Sequence, residues 1–520
     1  MQNPTRAEGA AAPGGGFVGS ARVLSALTLL SRVLGMVRDM LTAAVFGLTP
    51  VLDAFNLAYL IPNLFRRLFG EGALGSAFVP VFVDHLEHQG KPAAARLLSA
   101  LVTATTLILS LVCVLGIGAA LLLPRFWSDP RAALVGRLLA VMLPYAVLVC
   151  VTAILSAALN SLHRFAIPAA APILLNVLMI GALLVAVAPL PQRATLLASS
   201  VVAAGALQVL IQIPPLWRLG IGLRPTLNWT LPGMREVGRL FVPATLGVSL
   251  LQVNELIDGV IAAGFTDAGG VSSLAFAGHL AYLPMALIGI ALATAIFPTL
   301  ARAAAHDERD AFEAALARGL RATLFLAIPA ALGLLLLPDL IVQVIYERDR
   351  FSAEDTRRTG RVLFCYALGL VFYTSNHLFV RAFHARKDTR TPFRIMGLTT
   401  FLNLGLNLVL VQTALREAGL ALATSVSGLV NLLALALVLR RKHGVRRLAG
   451  VASTVLRSLL IAALTAAVLI PLRDPTLTPI GAPILRLALA IAAALAITFG
   501  LGRLLCRAEV RDILGRAPAG

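Results

Sequence analysis

Charge is scarce in this sequence, and so are the patterns that usually carry catalysis. Only 13% of its 520 residues are charged, against 58% hydrophobic, and the mean hydropathy is +0.87. A soluble chain of this length would display far more charge, so an ordinary soluble enzyme is excluded. Cysteine is limited to Cys113, Cys150, Cys365 and Cys506, scattered through apolar runs without C-x-x-C or metal spacing. They read as small buried hydrophobes, which implies neither a disulfide framework nor a metal centre. No G-x-x-x-x-G-K-[ST] loop occurs, which excludes self-powering by ATP hydrolysis. "DHLEH" (84–88) is not H-E-x-x-H, and no G-x-S-x-G elbow is present. No paired carboxylates stand at a membrane surface in an acid–base arrangement, so the chain reads as a non-enzyme with no resident cofactor. The opening "MQNPTRAEGAAAPGGG" lacks a cleavable signal and is expected to be a disordered leader over residues 1–20.

What the sequence has is apolar runs of bilayer-spanning length, from end to end. Only helices and closed barrels satisfy their backbone in lipid, and long non-alternating runs exclude the barrel. The expected fold is an all-α polytopic membrane protein of about fourteen spans. They fall near 21–47, 51–78, 96–123, 133–161, 166–189, 194–218, 236–264, 271–298, 313–338, 358–384, 392–413, 418–440, 452–472 and 482–506. Prolines punctuate them at Pro124, Pro168, Pro189, Pro338 and Pro392.

Basic residues orient the spans. One set of loops carries Arg218, Arg224 and Arg235, then Arg302 and Arg309, then Arg386, Lys387 and Arg390, then Arg440 to Lys442 with Arg446 and Arg447. The tail after residue 506 adds Arg507, Arg511 and Arg516, whereas "GLTP" and "GFTDAGG" on the other side carry no basic residue. Both termini are therefore expected in the cytoplasm. One loop dissents, "YERDRFSAEDTRR" (346–358), which is basic yet falls outside, with acids that offset part of its charge. The net charge of +19 is mostly this bias, and it suits an anionic inner leaflet. Nucleic acid is not an expected partner, because no large soluble domain presents a basic face.

The halves echo each other. "PYAVLVCVTAILSAALNSLH" (144–163) and "CYALGLVFYTSNHLFVRAFH" (365–384) both contain Tyr-Ala with a histidine eighteen residues after the tyrosine. Each is followed by a proline-ended loop and a span with an asparagine, Asn176 or Asn403. The offset makes a six-span unit used twice in one orientation, a common transporter plan. The expected organisation is an N-terminal lobe over 21–218, a C-terminal lobe over 236–440, two extra spans over 452–506 and a cytoplasmic tail over 507–520.

Charges inside the first two spans need a reason. "SRVLGMVRD" (31–39) places Arg32, Arg38 and Asp39 in apolar sequence. Arg32 and Asp39 share nearly one helix face, about 10 Å apart along the axis. The second span adds Asp53, Asn63, Arg66, Arg67 and Glu71. Each central charge costs on the order of 3 kcal/mol on insertion scales. Arg67 and Glu71 form an i, i+4 pair that fits an interfacial position, and Asp53 fits the outer interface. Arg32 and Arg66 are flanked by apolar residues on both sides, which favours a watery cavity. Arginine in excess over acid suits an anionic cargo, since guanidinium matches phosphate with two parallel hydrogen bonds.

With those residues laid out, "SRVLGMVRD", "DAFNLAYLIPNLFRRLFGEGALGSAFVPVF", "YERDRFSAEDT" and "RAFHARKDTRTPFRI" resemble the MurJ (MviN) family. These are lipid II flippases of the multidrug/oligosaccharidyl-lipid/polysaccharide exporter superfamily. The resemblance runs over essentially the whole chain. It implies two six-helix lobes around a cationic central cavity, and two C-terminal helices forming a groove for the lipid tail. It also implies alternating-access movement of lipid II, the undecaprenyl-diphosphate-linked peptidoglycan precursor, across the bacterial cytoplasmic (inner) membrane. Implied partners are lipid II, membrane lipids and cell-wall synthesis proteins. The matching positions are Arg32, Arg38, Asp39, Asp53, Asn63, Arg66 and Glu71.

One position departs from the family: "FAGHLAYLP" places His279 where an arginine is usual. His279 reads as a weaker diphosphate contact, a proton-linked switch or a core histidine. Some members bind sodium in the second lobe, and the matching residues are Asp258, Asn403, Asn407 and Thr424. Oxygen ligands suit a hard cation, and interhelical hydrogen bonding is the other reading. Any uphill work would draw on sodium or the membrane potential. Glycines in "FGEGALG" and "LIGIAL" are either flex points or close-packing positions. The rival functions are a flippase for another undecaprenyl-diphosphate-linked glycan, a multidrug antiporter on the same architecture, and a lipid-processing enzyme. The arginine excess speaks against the second.

Overall fold

The computed structural model describes residues 14–69, 74–185, 189–228, 230–473 and 481–513. Every regular element among them is helical. The chain begins with α1 (Gly14–Phe46), α2 (Pro50–Leu68), α3 (Leu74–His88), α4 (Lys91–Phe126), α5 (Ala132–Met142), α6 (Pro144–Ser161), α7 (Ala166–Leu184) and α8 (Leu190–Arg218). It continues with α9 (Pro232–Phe265), α10 (Gly270–Pro284), a π-helical turn (Met285–Ile290), α11 (Ala291–Ala305), α12 (Arg309–Leu336) and α13 (Pro338–Tyr346). The last elements are α14 (Ala353–Ala385), α15 (Arg390–Leu410), α16 (Glu417–His443), α17 (Val451–Arg473), α18 (Pro483–Leu505) and α19 (Arg507–Ile513).

Eleven helical runs among the described residues are long and apolar enough to cross a bilayer. The three remaining expected spans coincide with α1, α2 and α9, each of which carries several charged residues within its run. Rows of exposed leucine, isoleucine and valine run along α4 (Leu107, Ile108, Leu111, Leu115) and α17 (Leu456, Leu459, Leu460). Such a surface is stable against hydrocarbon and not against water. The protein is a multi-pass helical membrane protein.

The expected run 51–78 is described as α2 and α3, with Pro62 and Pro80 inside the two helices. The run 271–298 passes through the π turn directly after Pro284. Proline removes one N–H from the ladder, which allows the local widening. Gly289 lies in that turn, where a Cβ would come within 2.9 Å of Thr374 Cα. Close helix approach, one of the two expected roles for "LIGIAL", is therefore what Gly289 provides. Residues 70–73 of "FGEGALG" lie outside the described residues.

By internal contacts the chain forms two units, one of residues 1–41 and 61–248, the other of 42–60 and 249–520. In the first, α6 packs on α3, α4 and α8, and α7 packs on α8. Its core gathers Phe78, Phe82, Leu97, Leu98, Ile154 and Leu155. In the second, α14 packs on α10, α12 and α16, and α15 packs on α16. These are the same neighbours displaced by six spans, so each unit repeats one helix arrangement. Segment 42–60, which the repeat would give to the first lobe, groups with the second unit. The Arg350 amide donates to the Ala44 carbonyl at 3.2 Å. Gly47, at φ +58°, fits beneath the Arg350 carbonyl where any Cβ would collide.

Small residues set the close contact between α14 and α16 in the second unit. A Cβ on Gly369 of α14 would lie 2.8 Å from Ser425 Cα on α16. The Ser425 hydroxyl donates to the Cys365 carbonyl at 2.7 Å, and Asn376 Nδ2 donates to the Gly428 carbonyl at 3.1 Å. Lipid offers little hydrophobic drive for helix association, so close backbone approach and interhelical hydrogen bonds carry it.

Candidate functional site

Arginine is a good helix former, and the α1 sequence around Arg32 has no proline and one glycine, so the charges ride on a continuous helix. Arg32 is exposed and makes no hydrogen bond or ion pair among the described residues. Arg38, two turns on, is committed. Its Nε and Nη2 donate to Asp39 Oδ1 at 3.0 and 2.7 Å, and its Nη1 donates to Asn176 Oδ1 at 3.1 Å. Asn176 Nδ2 in turn donates to the Ser31 carbonyl at 3.0 Å. The half-buried pair neutralises itself, and the uncompensated positive charge on this stretch is Arg32.

On α2, Arg66 Nε donates to Asn63 Oδ1 at 2.9 Å, an i, i+3 contact. Arg66 and Arg67 are both half-buried and make further polar interactions. Glu71 lies outside the described residues.

Asp53 departs from the expected cavity-facing or interfacial position, for it has no exposed surface. Its carboxylate accepts from the Gly269 amide at 2.6 Å, the Ser272 amide at 2.9 Å and the Ser272 hydroxyl at 2.7 Å. These donors form the N-terminus of α10, whose first-turn amides lack helical acceptors. A buried carboxylate is tolerated there because amides and helix dipole stabilise its charge. Asn56 Nδ2 adds a bond to the Ser272 hydroxyl at 3.1 Å. In this conformation Asp53 is a helix cap supplied by a distant segment, with no surface for cargo.

The adjoining loop is tied by residues the sequence reading did not single out. Arg358 donates to the Glu417 carboxylate and to the carbonyls of Ala268 and Asp267. Arg357 pairs with Glu354 at 2.5 Å, and Arg348 donates to the Val344 carbonyl at 2.7 Å. Arg348, Arg357 and Arg358 of the dissenting basic loop are thus spent on helix ends and ion pairs.

His279 stands exposed on α10, which removes the core-histidine reading. Asp258, Asn403, Asn407 and Thr424 come together from α9, α15 and α16. Asn407 Nδ2 donates to Asp258 Oδ1 at 2.6 Å and to Asn403 Oδ1 at 2.9 Å, and Asn403 Nδ2 reaches Thr424 Oγ1 at 3.4 Å. Tyr373 closes the group by donating to the Thr424 carbonyl. Asn407 Oδ1 is buried without a hydrogen-bond partner. The side-chain oxygens of these four residues are of the type a hard cation takes, and in this conformation those of Asp258 and Asn403 accept from the Asn407 amide. Among the described residues, no cluster of histidine, cysteine and acid could hold a metal ion.

Comparison with known proteins bears on the family and the fold. A family model described as "Lipid II flippase MurJ" matches residues 42–485. The chain is 35% identical over 435 residues to the probable lipid II flippase MurJ of Vibrio cholerae, covering 81% of this chain and 82% of that one. It is 35% identical over 495 residues to the probable lipid II flippase MurJ of Rhizobium meliloti, covering 91% of each. A solved lipid II flippase MurJ in an inward closed conformation superposes with TM-score 0.77 at 25% identity, over 93% of this chain and 99% of that one. An inward-facing multidrug transporter of the MATE family shares the fold alone, with TM-score 0.64 at 12% identity over 85% of this chain and 98% of that one.

Proposed function

We propose that this chain, which belongs to the lipid II flippase MurJ family, carries lipid II from the cytoplasmic to the outer leaflet of a bacterial inner membrane by alternating access. Both termini lie in the cytoplasm, following the basic loops. Arg32 and Arg66 grip the diphosphate, and Arg38, braced by Asp39 and Asn176, sets the local field. His279 stands at the position where the family's arginine would be. The undecaprenyl tail stays in the membrane, along the groove of the last two spans.

The observation that carries this reading is Arg32. It is a permanently charged side chain within an apolar helix, exposed and unpartnered among the described residues. Intramembrane charge of that kind lines a pathway by default, and guanidinium prefers phosphate. No bond of the cargo is made or broken, so the chain acts as a transporter and not as an enzyme.

Asp258, Asn403, Asn407 and Thr424 would hold a sodium ion. When bound, the ion supplies a charge that couples a membrane gradient to one conformational state. Cell-wall synthesis enzymes that make and consume lipid II are the partners this activity requires.

Depletion tests the reading. With the protein removed, lipid II should accumulate out of reach of a membrane-impermeant reagent outside the cell. Unchanged outer accessibility would refute it.

A further inference from the structure

The last two long helices end, on the face where α13 lies, at a polar notch. It encloses about 190 Å³ and is lined by Leu336, Leu337, Asp339, Leu340, Gln343, Arg473 and Arg486. Its floor is apolar, with Leu337, Leu340, Leu469, Leu487 and Ala490 packed together. Arg486 is only 4% exposed, yet its Nε has no hydrogen-bond acceptor, and it joins no ion pair among the described residues. Arg473 is exposed at the rim and is equally without an ion pair there. Asp339 lines the same space without reaching ion-pair distance of either arginine.

A buried guanidinium with no counter-charge is costly and is retained where something supplies that charge. The N-terminus of α18 adds to the demand. Pro483 occupies its first turn, and no side chain caps it, so the positive end of the helix lies beside Arg486. Arg473, Arg357 and Arg361 all act electrostatically on Asp339, so the one carboxylate is outnumbered by positive charge. Ile470, Ile484 and Leu485, on the same turns as the two arginines, are exposed and apolar. A ligand would therefore arrive from the membrane.

We propose that this notch binds the headgroup of a glycerophospholipid, its phosphate on Arg486 and Arg473 and its amine or hydroxyl on Asp339. Two guanidinium groups and one carboxylate complement a phosphodiester that carries a hydrogen-bond donor. The site rests on reading α17 and α18 as membrane spans, and is independent of the cargo. In the orientation proposed above it faces the outer leaflet, where it would hold the last two spans against α13.

Native mass spectrometry of the purified full-length protein tests this, with phosphatidylethanolamine, diacylglycerol or inorganic phosphate added in turn. Retention of phosphatidylethanolamine should fall about tenfold in Arg486→Gln and in Arg473→Gln, as loss of a charge-assisted hydrogen bond implies. Diacylglycerol, which lacks phosphate, should be retained weakly and equally by all three proteins. Arg473→Gln decides the matter if loss of the buried Arg486 disturbs folding. Equal retention of phosphatidylethanolamine by the unsubstituted protein and Arg473→Gln overturns the proposal. So does diacylglycerol held as firmly as phosphatidylethanolamine, or inorganic phosphate that phosphatidylethanolamine fails to displace. Lipid II transport is assayed separately, so failure here leaves the flippase reading standing.

Discussion

Arg32 and Arg38 sit six positions apart on one helix and have different fates, which makes them a matched pair for testing. Arg32 has no partner among the described residues, so Arg32→Ala should leave expression and melting temperature unchanged. Transport should drop at least ~10-fold, the value of a charged hydrogen bond to phosphate. Arg38→Ala removes the partner of Asp39, bonded at 2.7 Å, and should lower the melting temperature as well. Paired thermal-shift and transport assays separate the two outcomes. His279→Arg, on an exposed face of α10, should retain transport if the position contacts diphosphate, and a folded but inactive variant would remove His279 from the cargo path. Charge in an apolar run is conspicuous, so Arg32, Arg38 and Asp39 were legible in the sequence. What a charge touches was not. Asp53 looks the same in sequence whether it lines a cavity or caps a helix more than two hundred residues away, and Asn176 became visible as Arg38's partner only once α1 and α7 were seen together.

At the scale of elements, caps and close approaches carry the predictions. Asp53→Asn replaces an acceptor for three donors at the start of α10 with a neutral amide. It should destabilise the protein by roughly 1–3 kcal/mol, measured as a lowered midpoint in detergent unfolding. Asp388, in the turn between α14 and α15, adds a pH test. Burial alone would raise its carboxyl, but hydrogen bonds from Lys442, Thr391 and His443 hold it well below the usual range. Its folded pKa is therefore below the unfolded value of about 3.9, so its stabilisation is full above that value and is lost as pH falls through the lower one. Asp388→Asn should weaken the drop in melting temperature between about pH 5 and pH 2, and an unchanged acid limb would contradict the assignment. Helix existence was readable from apolar runs, whereas the π turn was not. It depends on which carbonyl Pro284 leaves unpaired and how the neighbours fill the gap.

For the whole molecule, the repeat seen as paired Tyr-Ala and histidine positions reappears as one helix arrangement used in each unit. The two repeat-related asparagines each anchor a polar group, Asn176 bridging Arg38 and Ser31 and Asn403 bridging Asn407 and Thr424. The grouping of segment 42–60 with the second unit had no sequence signal, because it rests on contacts between residues far apart in the chain. The sodium proposal is testable as linkage. Sodium at about 100 times its dissociation constant should stabilise the protein by ~2.7 kcal/mol, and Asp258→Asn should abolish the effect. The central claim is that guanidinium groups from the first two long helices hold the diphosphate of the moving lipid. Its most direct test is the rate at which lipid II becomes accessible to an impermeant reagent in proteoliposomes, with purified protein compared with the Arg32→Ala, Arg66→Ala double variant. The account predicts a correctly folded double variant with transport reduced to the protein-free background; transport at the unsubstituted rate would contradict it.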